Sequence, residues 1–458
     1  MLQIHYPTNA NSATHWVLSV IFGEFLGIEY DVKPTTKEGY SIQLNGKRLD
    51  LSDCFFKKLQ DKWLVGEPDV KNPLPQWDAS KSDLSVLLVE PMLPVVFGEP
   101  QINIESNRID CQIDIMGTVF YFLSRYEEMV VVERDQYDRF PATASLSHRA
   151  GLLHRPIVDE YVEVLWVCMK TLWPSLERKP RQGKLRITCD VDAPYDCSTK
   201  TAMGLARGIA ADVLKRFNYS QAVQRIQNYI STSRGIYCHD PFNTFEWYMD
   251  TCERFGHQAA FYFISDHSSK KMDGCYELSE PRILELLKSI AARGHEIGTH
   301  ASFNTYQDGK QLAHERQRLM DCCGKLNVDA GVGGNRQHFL RWDASQTADH
   351  IEAAGYEYDS TGAFSDRPGF RYGTSRPFTM WSWQKQAPLK IKQRPLILME
   401  CSVIADRYMG LGYGEESKAL MLSMKRNALA YGGDFTMLWH NSHLSTNSDR
   451  NFFTELLS

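Results

Sequence analysis

From residue 185 onward, short apolar runs alternate with helix-length amphipathic segments. Residues 185–191, 259–264, 295–300, 338–342, 356–360, 396–403 and 435–440 read as candidate strands. Between them, residues 281–293, 309–325, 344–354 and 415–430 carry apolar positions at helical spacing. Strands separated by helices imply parallel strands with crossover connections. The pattern therefore predicts an α/β fold, an incomplete or distorted (β/α)7 barrel. Residues 200–233 read as a helical insertion after its first strand.

The first 180 residues have a different texture. Helical patterns at 15–25, 117–129 and 158–172 mix with strand patterns, and Asn45-Gly46 between alternating residues is a hairpin signal. The run 177–184, rich in Lys and Arg with Pro180 and Gly183, reads as a linker. These features predict a mixed α/β accessory domain over 1–180 and a barrel domain over 185–458. A chain of 458 residues is also longer than one ordinary core supports.

Composition narrows the function. Hydrophobic residues make up 43% and charged residues 23%, as in globular proteins. A net charge of -5 and a pI near 6.3 argue against broad nucleic-acid binding. No apolar run approaches the roughly 20 residues of a spanning helix. Asn9, Asn11, Ser12 and Thr14 break up the start, so no secretory signal is expected. Eleven scattered cysteines without a CxxC read as reduced thiols, and a cytoplasmic location is expected.

The polar residues fall at the strand ends, where barrels of this kind keep their chemistry. The first strand delivers Asp190 and Asp192, which alternation puts on one side. The third ends in Gly298-Thr299-His300, and the last in Leu438-Trp439-His440-Asn441; Arg336 precedes the fourth. An acidic pair alone more often caps a helix, and a lone histidine more often serves structure. Together, in barrel register, they favour a metal-dependent hydrolase. A carboxylate and imidazoles can hold a divalent cation. A second carboxylate can act as general base and a facing histidine as general acid.

At these residues the chain resembles the polysaccharide deacetylase superfamily, carbohydrate esterase family 4. Thr188-Cys189-Asp190-Val191-Asp192 resembles its first motif, which implies Asp190 as general base and Asp192 as metal ligand. Gly294-His295-Glu296-Ile297-Gly298-Thr299-His300 leads into the second motif and implies His300 as ligand. Arg336-Gln337-His338-Phe339 resembles the third, R-x-P-Y, with Arg336 orienting the base and the Phe339 backbone N–H contributing to the oxyanion hole. Tyr358-Asp359-Ser360-Thr361 sits at the fourth motif, and Leu438-Trp439-His440 resembles the fifth, with His440 as general acid.

Two positions depart from the family. The second motif reads His300-Ala301-Ser302-Phe303-Asn304, so Asn304 replaces the second histidine and becomes the third expected ligand. An amide oxygen suits harder cations than zinc, although zinc is the ion the resemblance implies. His338 replaces the third-motif proline and is expected to contact substrate.

A divergent bacterial branch of the superfamily, with an N-terminal domain of unknown function, is similar over more of the chain. Its segments resemble Phe122-Leu123-Ser124-Arg125-Tyr126-Glu127-Glu128, Gly369-Phe370-Arg371-Tyr372-Gly373-Thr374 and Leu438-Trp439-His440-Asn441. That resemblance implies surface-polysaccharide chemistry, with Asp366 and Arg371 on a pocket loop facing the substrate. Asp406 is a candidate to hold His440, and Trp381 and Trp383 are candidates to stack on a sugar. The expected activity is removal of an acetyl group, N-acetyl foremost, from a glycan or its precursor. An amidase on a small metabolite and an inactive glycan-binding relative are the alternatives. No nucleic-acid partner is expected, and the sequence leaves the oligomeric state open.

Overall fold

The computed structural model describes residues 1–8, 11–59, 62–197, 201–215, 217, 219–328 and 332–458. Asn9 and Lys200, where the expected insertion begins, lie outside them.

The first part of the chain builds β1 (Leu2–Pro7), β2 (Tyr30–Thr35), β3 (Tyr40–Leu44), β4 (Lys47–Leu51), a ribbon of β5 (Gln76–Asp78) and β6 (Met92–Pro94), then β7 (Gly98–Ile104) and β8 (Arg108–Ile113). Six of these pair in the order β2-β1-β3-β4-β8-β7. Asn45 and Gly46 turn β3 into β4 with positive φ angles of 49° and 76°, as the hairpin signal requires. The helices Ile115–Leu123 and Ile157–Leu172 bury apolar side chains in the core of this sheet.

The second part builds β9 (Leu185–Val191), β10 (Ala259–Phe263), β11 (Glu296–Ala301), β12 (Gly334–Gln337), β13 (Tyr358–Asp359), β14 (Phe378–Ser382), β15 (Ala387–Gln393), β16 (Leu398–Met399) and β17 (Phe435–Leu438). Their order is β14-β15-β13-β12-β11-β10-β9-β17-β16, and every neighbouring pair but β14–β15 is parallel. This is an α/β sheet with crossover helices, and its ladder ends at β14 on one side and β16 on the other. The hairpin of β14 and β15 is absent from the pattern of apolar runs. The fourth expected strand, 338–342, is also displaced. The strand is Gly334–Gln337, and His338–Leu340 is a short 3-10 turn.

The two parts pack closely. Tyr372, Phe378, Trp381 and Trp383 join the core of the first sheet. Trp383 Nε1 donates to the Ser124 carbonyl at 2.8 Å, and Trp16 Nε1 donates to the Thr379 carbonyl at 3.0 Å. Trp381 and Trp383 are thus core residues of this junction and not a sugar platform. The run 177–184 is anchored rather than free: Lys179 N–H donates to the Leu26 carbonyl, and Arg181 pairs with Asp434.

The continuous helix expected over 117–129 is broken. Arg125 adopts a left-handed conformation, φ 55°, between Ile115–Leu123 and Tyr126–Val130. Its guanidinium binds Glu127 at 2.8 Å and Glu128 at 2.7 Å, both buried. Burial pushes against the ionised form of Glu128, but Arg371 and Arg125 outweigh it and hold the carboxyl at about 2. Among the described residues, no helix is long and apolar enough to cross a membrane. Cys197 and Cys275 are joined as a disulfide, which corrects the expectation that all thiols are reduced. The loop around Gly274 lies against the Asp192 backbone, and this brings the two cysteines together.

Candidate metal centre and its proton groups

The parallel register of the second sheet lines up the polar strand ends. Asp190 on β9 is level with Tyr262 on β10, and His300 on β11 is level with Arg336 on β12. Gly298 makes room for this arrangement, because a Cβ there would stand 2.5 Å from the Tyr262 ring. The Tyr262 ring in turn lies 5.2 Å from the Arg336 guanidinium.

Asp190 and Asp192 share one side of β9 but differ in access. The Asp190 side chain is 3% exposed and that of Asp192 is 38% exposed, so Asp190 lies beneath the opening and Asp192 at it. His300 Nε2 stands 3.1 Å from Asp192 Oδ1 and 3.7 Å from Asp190 Oδ2. His338 Nε2 stands 3.6 Å from the same Asp192 oxygen. Asp192, His300 and His338 form a compact group of metal-competent atoms.

The other ring nitrogens decide what this group can hold. His300 Nδ1 lies 2.9 Å from the Arg336 carbonyl, and His338 Nδ1 lies 2.9 Å from Asp273 Oδ1. Both partners can only accept, so each Nδ1 carries the hydrogen and, in the neutral imidazole, each Nε2 presents a lone pair. Asp192 Oδ1 is buried without a hydrogen-bond partner. With both imidazoles neutral, three electron-pair donors thus face one another. That is the requirement of a divalent cation, and the donor set of two imidazoles and a carboxylate suits zinc. The field agrees. Burial would lower the His300 pKa, but Asp190 and Asp192 raise it above the ordinary imidazole value. Burial would raise Asp192, yet His338 and His300 hold it well below the usual carboxylate range.

Asn304 is turned away from this group. Its Nδ2 donates to the Ser268 carbonyl at 3.1 Å, and its Oδ1 accepts from Arg341 at 3.3 Å. His338, expected to contact substrate, instead completes the group with Asp192 and His300, and Asn304 does not. The residue that aims His338 is Asp273, which also accepts from the Phe303 and Ser269 N–H groups at 2.7 Å. Asp273 sits in a loop with no periodic or motif signal.

Arg336 is fully buried and faces Asp190 Oδ1 at 3.5 Å. Its Nη2 also donates to Thr188 Oγ1 at 3.2 Å and Ser360 Oγ at 3.0 Å. Phe339 and Leu340 both have positive φ, 61° and 57°, an uncommon pair for residues with side chains. The strained turn is clamped from the first part of the chain, where Arg139 Nη1 donates to the Phe339 carbonyl at 3.1 Å and the Tyr137 ring packs on Phe339.

His440 follows β17 and turns Nε2 toward Asp192 Oδ2 at 3.7 Å. Its Nδ1 is 2.5 Å from Glu400 Oε1. Burial would lower the His440 pKa, but Glu400 raises it well above the ordinary imidazole value. Glu400 therefore does what the sequence reading gave to Asp406, whose side chain is exposed on the loop beyond. A glutamate at the junction of β16 and a short helix carries no recognisable spacing relative to His440.

Asp366 and Arg371 do not face the group. Asp366 Oδ1 accepts from the Ala142 N–H at 3.0 Å. Arg371 is buried, pairs with Glu128 at 2.7 Å and donates to the Ala363 carbonyl at 2.7 Å. Both hold the two parts of the chain together, so the expectation of substrate contact is corrected.

Comparison with known proteins adds the following. Residues 2–174 match a family described as "Family of unknown function (DUF7033)". No curated protein matches the chain. Among solved structures, one described as a polysaccharide deacetylase from Mycobacterium smegmatis is similar at 15% identity and a TM-score of 0.39, over 61% of this chain and 83% of that one. Another, described as a polysaccharide deacetylase from Pseudomonas aeruginosa PAO1, is similar at 14% identity and a TM-score of 0.36, over 60% and 84%. A structure described as Puue allantoinase is similar at 13% identity and a TM-score of 0.35, over 60% and 83%. Likeness at this level leaves the reading of the site to its own side chains.

Proposed function

We propose that this chain is a metal-dependent hydrolase that removes an acetyl group, N-acetyl foremost, from a glycan or surface-polysaccharide precursor. Residues 185–458 are its catalytic domain, of incomplete barrel type, and residues 1–180 an accessory domain that braces the site. The observation that carries the reading is the convergence of Asp192 Oδ1, His300 Nε2 and His338 Nε2, with Asp190 beneath them and His440 beside them. The five motif-like segments between Asp190 and His440 support the same chemistry.

Asp192, His300 and His338 would hold the cation, which when bound lowers the pKa of a water and polarises a carbonyl. Asp190 remains outside that ligand set and takes the proton of the attacking water. Arg336 fixes Asp190 in place. The turn at Phe339 offers its backbone N–H to the developing oxyanion, and Arg139 holds that turn in shape. His440, protonated against Glu400, donates to the leaving nitrogen or oxygen.

The test is acetate release by the purified full-length chain from N-acetylated and O-acetylated oligosaccharides, with and without added zinc. Metal-dependent acetate release from the N-acetylated set is the expected result. Glycan binding without turnover under every divalent metal would make the chain a binding protein. Hydrolysis of small cyclic or linear amides without acetate release would make it an amidase.

A further inference from the structure

Glu400 faces more than His440. Its Oε1 also lies 3.0 Å from His443 Nδ1, and His443 Nδ1 lies 3.2 Å from Cys401 Sγ. Cys401 Sγ is 3.6 Å from the same Glu400 oxygen. One donor atom from each of Glu400, Cys401, His440 and His443 can be chosen so that all four lie within 4.8 Å of one another. Bonds of about 2.0–2.3 Å to a tetrahedral zinc put its ligand atoms about 3.3–3.8 Å apart. The Glu400–Cys401 separation of 3.6 Å falls in that range, the 3.0 and 3.2 Å separations to His443 lie a little below it, and the 2.5 Å His440–Glu400 contact is shorter.

Hydrogen bonding alone leaves this cluster poorly satisfied. One carboxylate oxygen serves both imidazoles, while Glu400 Oε2 is buried with no partner on a residue that is 1% exposed. The His443 side chain is 44% exposed, so the cluster has an opening to solvent. One thiol, two imidazoles and a carboxylate form a mixed soft and borderline donor set that favours zinc over magnesium or calcium.

We propose that Glu400, Cys401, His440 and His443 form a second divalent-metal site, selective for zinc and separate from the Asp192–His300–His338 group. The two sites meet at one ring, since His440 gives Nδ1 to the second and turns Nε2 toward Asp192. An ion in the second site therefore replaces the hydrogen bond between Glu400 and His440. That consequence for turnover rests on the role given to His440 above; the site itself does not.

Cobalt(II) titration of the metal-free, full-length protein tests the proposal. Among the described residues, only the second of the two groups contains a thiol, so only its occupation gives a thiolate-to-cobalt charge-transfer band. The band is expected in the wild type and lost in Cys401→Ser, with the remaining cobalt equivalent retained. A band with no other cobalt bound would support the second site while removing the first. Absence of the band in the wild type, or its survival in Cys401→Ser, overturns the proposal. Should Cys401→Ser melt early, His443→Ala serves instead. It must raise the cobalt concentration needed for the band by more than about tenfold, the least that losing even an outer partner costs. An unchanged titration in His443→Ala rejects the site.

Discussion

Asp273 accepts the Nδ1 hydrogen of His338 at 2.9 Å, across a loop and a strand end that are remote in sequence. That bond fixes the tautomer of His338 and turns Nε2 toward Asp192. A histidine in the place of a motif proline becomes a metal-competent group only because a buried carboxylate stands behind it.

The ligand set follows and can be checked by metal analysis. Asp192→Ala and His338→Ala should each remove one equivalent of zinc from folded protein and leave the equivalent held by the Glu400 group, whereas Asn304→Ala should keep both. Asp273→Asn should weaken zinc affinity by roughly 10–100-fold, the usual cost of a lost outer partner. Full zinc retention in His338→Ala would return the third position to another residue.

Asp190→Asn should retain zinc and substrate binding but lower the turnover number by roughly two to four orders of magnitude, as loss of a general base does. His440→Ala should act similarly, and least on substrates with good leaving groups. Turnover on an acetylated oligosaccharide, with folding verified by thermal melt, measures both. Near wild-type rates in either variant take that residue out of the mechanism.

Glu400 sets the alkaline side of the pH profile. Its negative charge favours the imidazolium form and raises the His440 pKa. The general acid must be protonated, so activity falls as pH rises through that value. Removing the charge in Glu400→Gln lowers the His440 pKa and should move the alkaline limb to lower pH, with a smaller effect on the acidic limb. An alkaline limb that stays in place would assign it to some other group.

Arg371 is a brace between the two parts of the chain. Arg371→Ala leaves Glu128 buried with one cationic partner fewer and should destabilise the protein by about 3–5 kcal/mol. The double variant Arg371→Met, Glu128→Leu should recover part of that loss, because no charge is then stranded there. Chemical denaturation measures both. A wild-type unfolding midpoint combined with a raised KM in Arg371→Ala would instead restore Arg371 to the substrate.

Part of this was legible in the chain itself. Apolar runs at strand length located β9, β10, β11 and β17, because a buried parallel strand needs apolar side chains on both faces. The polar residues that end those runs, Asp190, Asp192, His300 and His440, had to lie at one edge of the sheet once the strands were parallel. The hairpin of β14 and β15 escaped notice, since its buried aromatic residues pack on the first sheet and leave no separate strand signature.

What the sequence determined by itself is local: the period of each strand, the Asn45-Gly46 turn, and the placing of carboxylates and imidazoles just past strand ends. Tertiary structure alone decided which partner each side chain found. Asp273 and His338 are separated by 65 residues, Glu400 and His440 by 40, and Glu128 and Arg371 by 243. The same His, Glu or Arg can be a ligand, a proton donor or a buried brace. Its role follows from the charge and hydrogen-bond acceptor that folding sets within about 3 Å of it, the reach of a hydrogen bond, and spacing along the chain does not encode that neighbour.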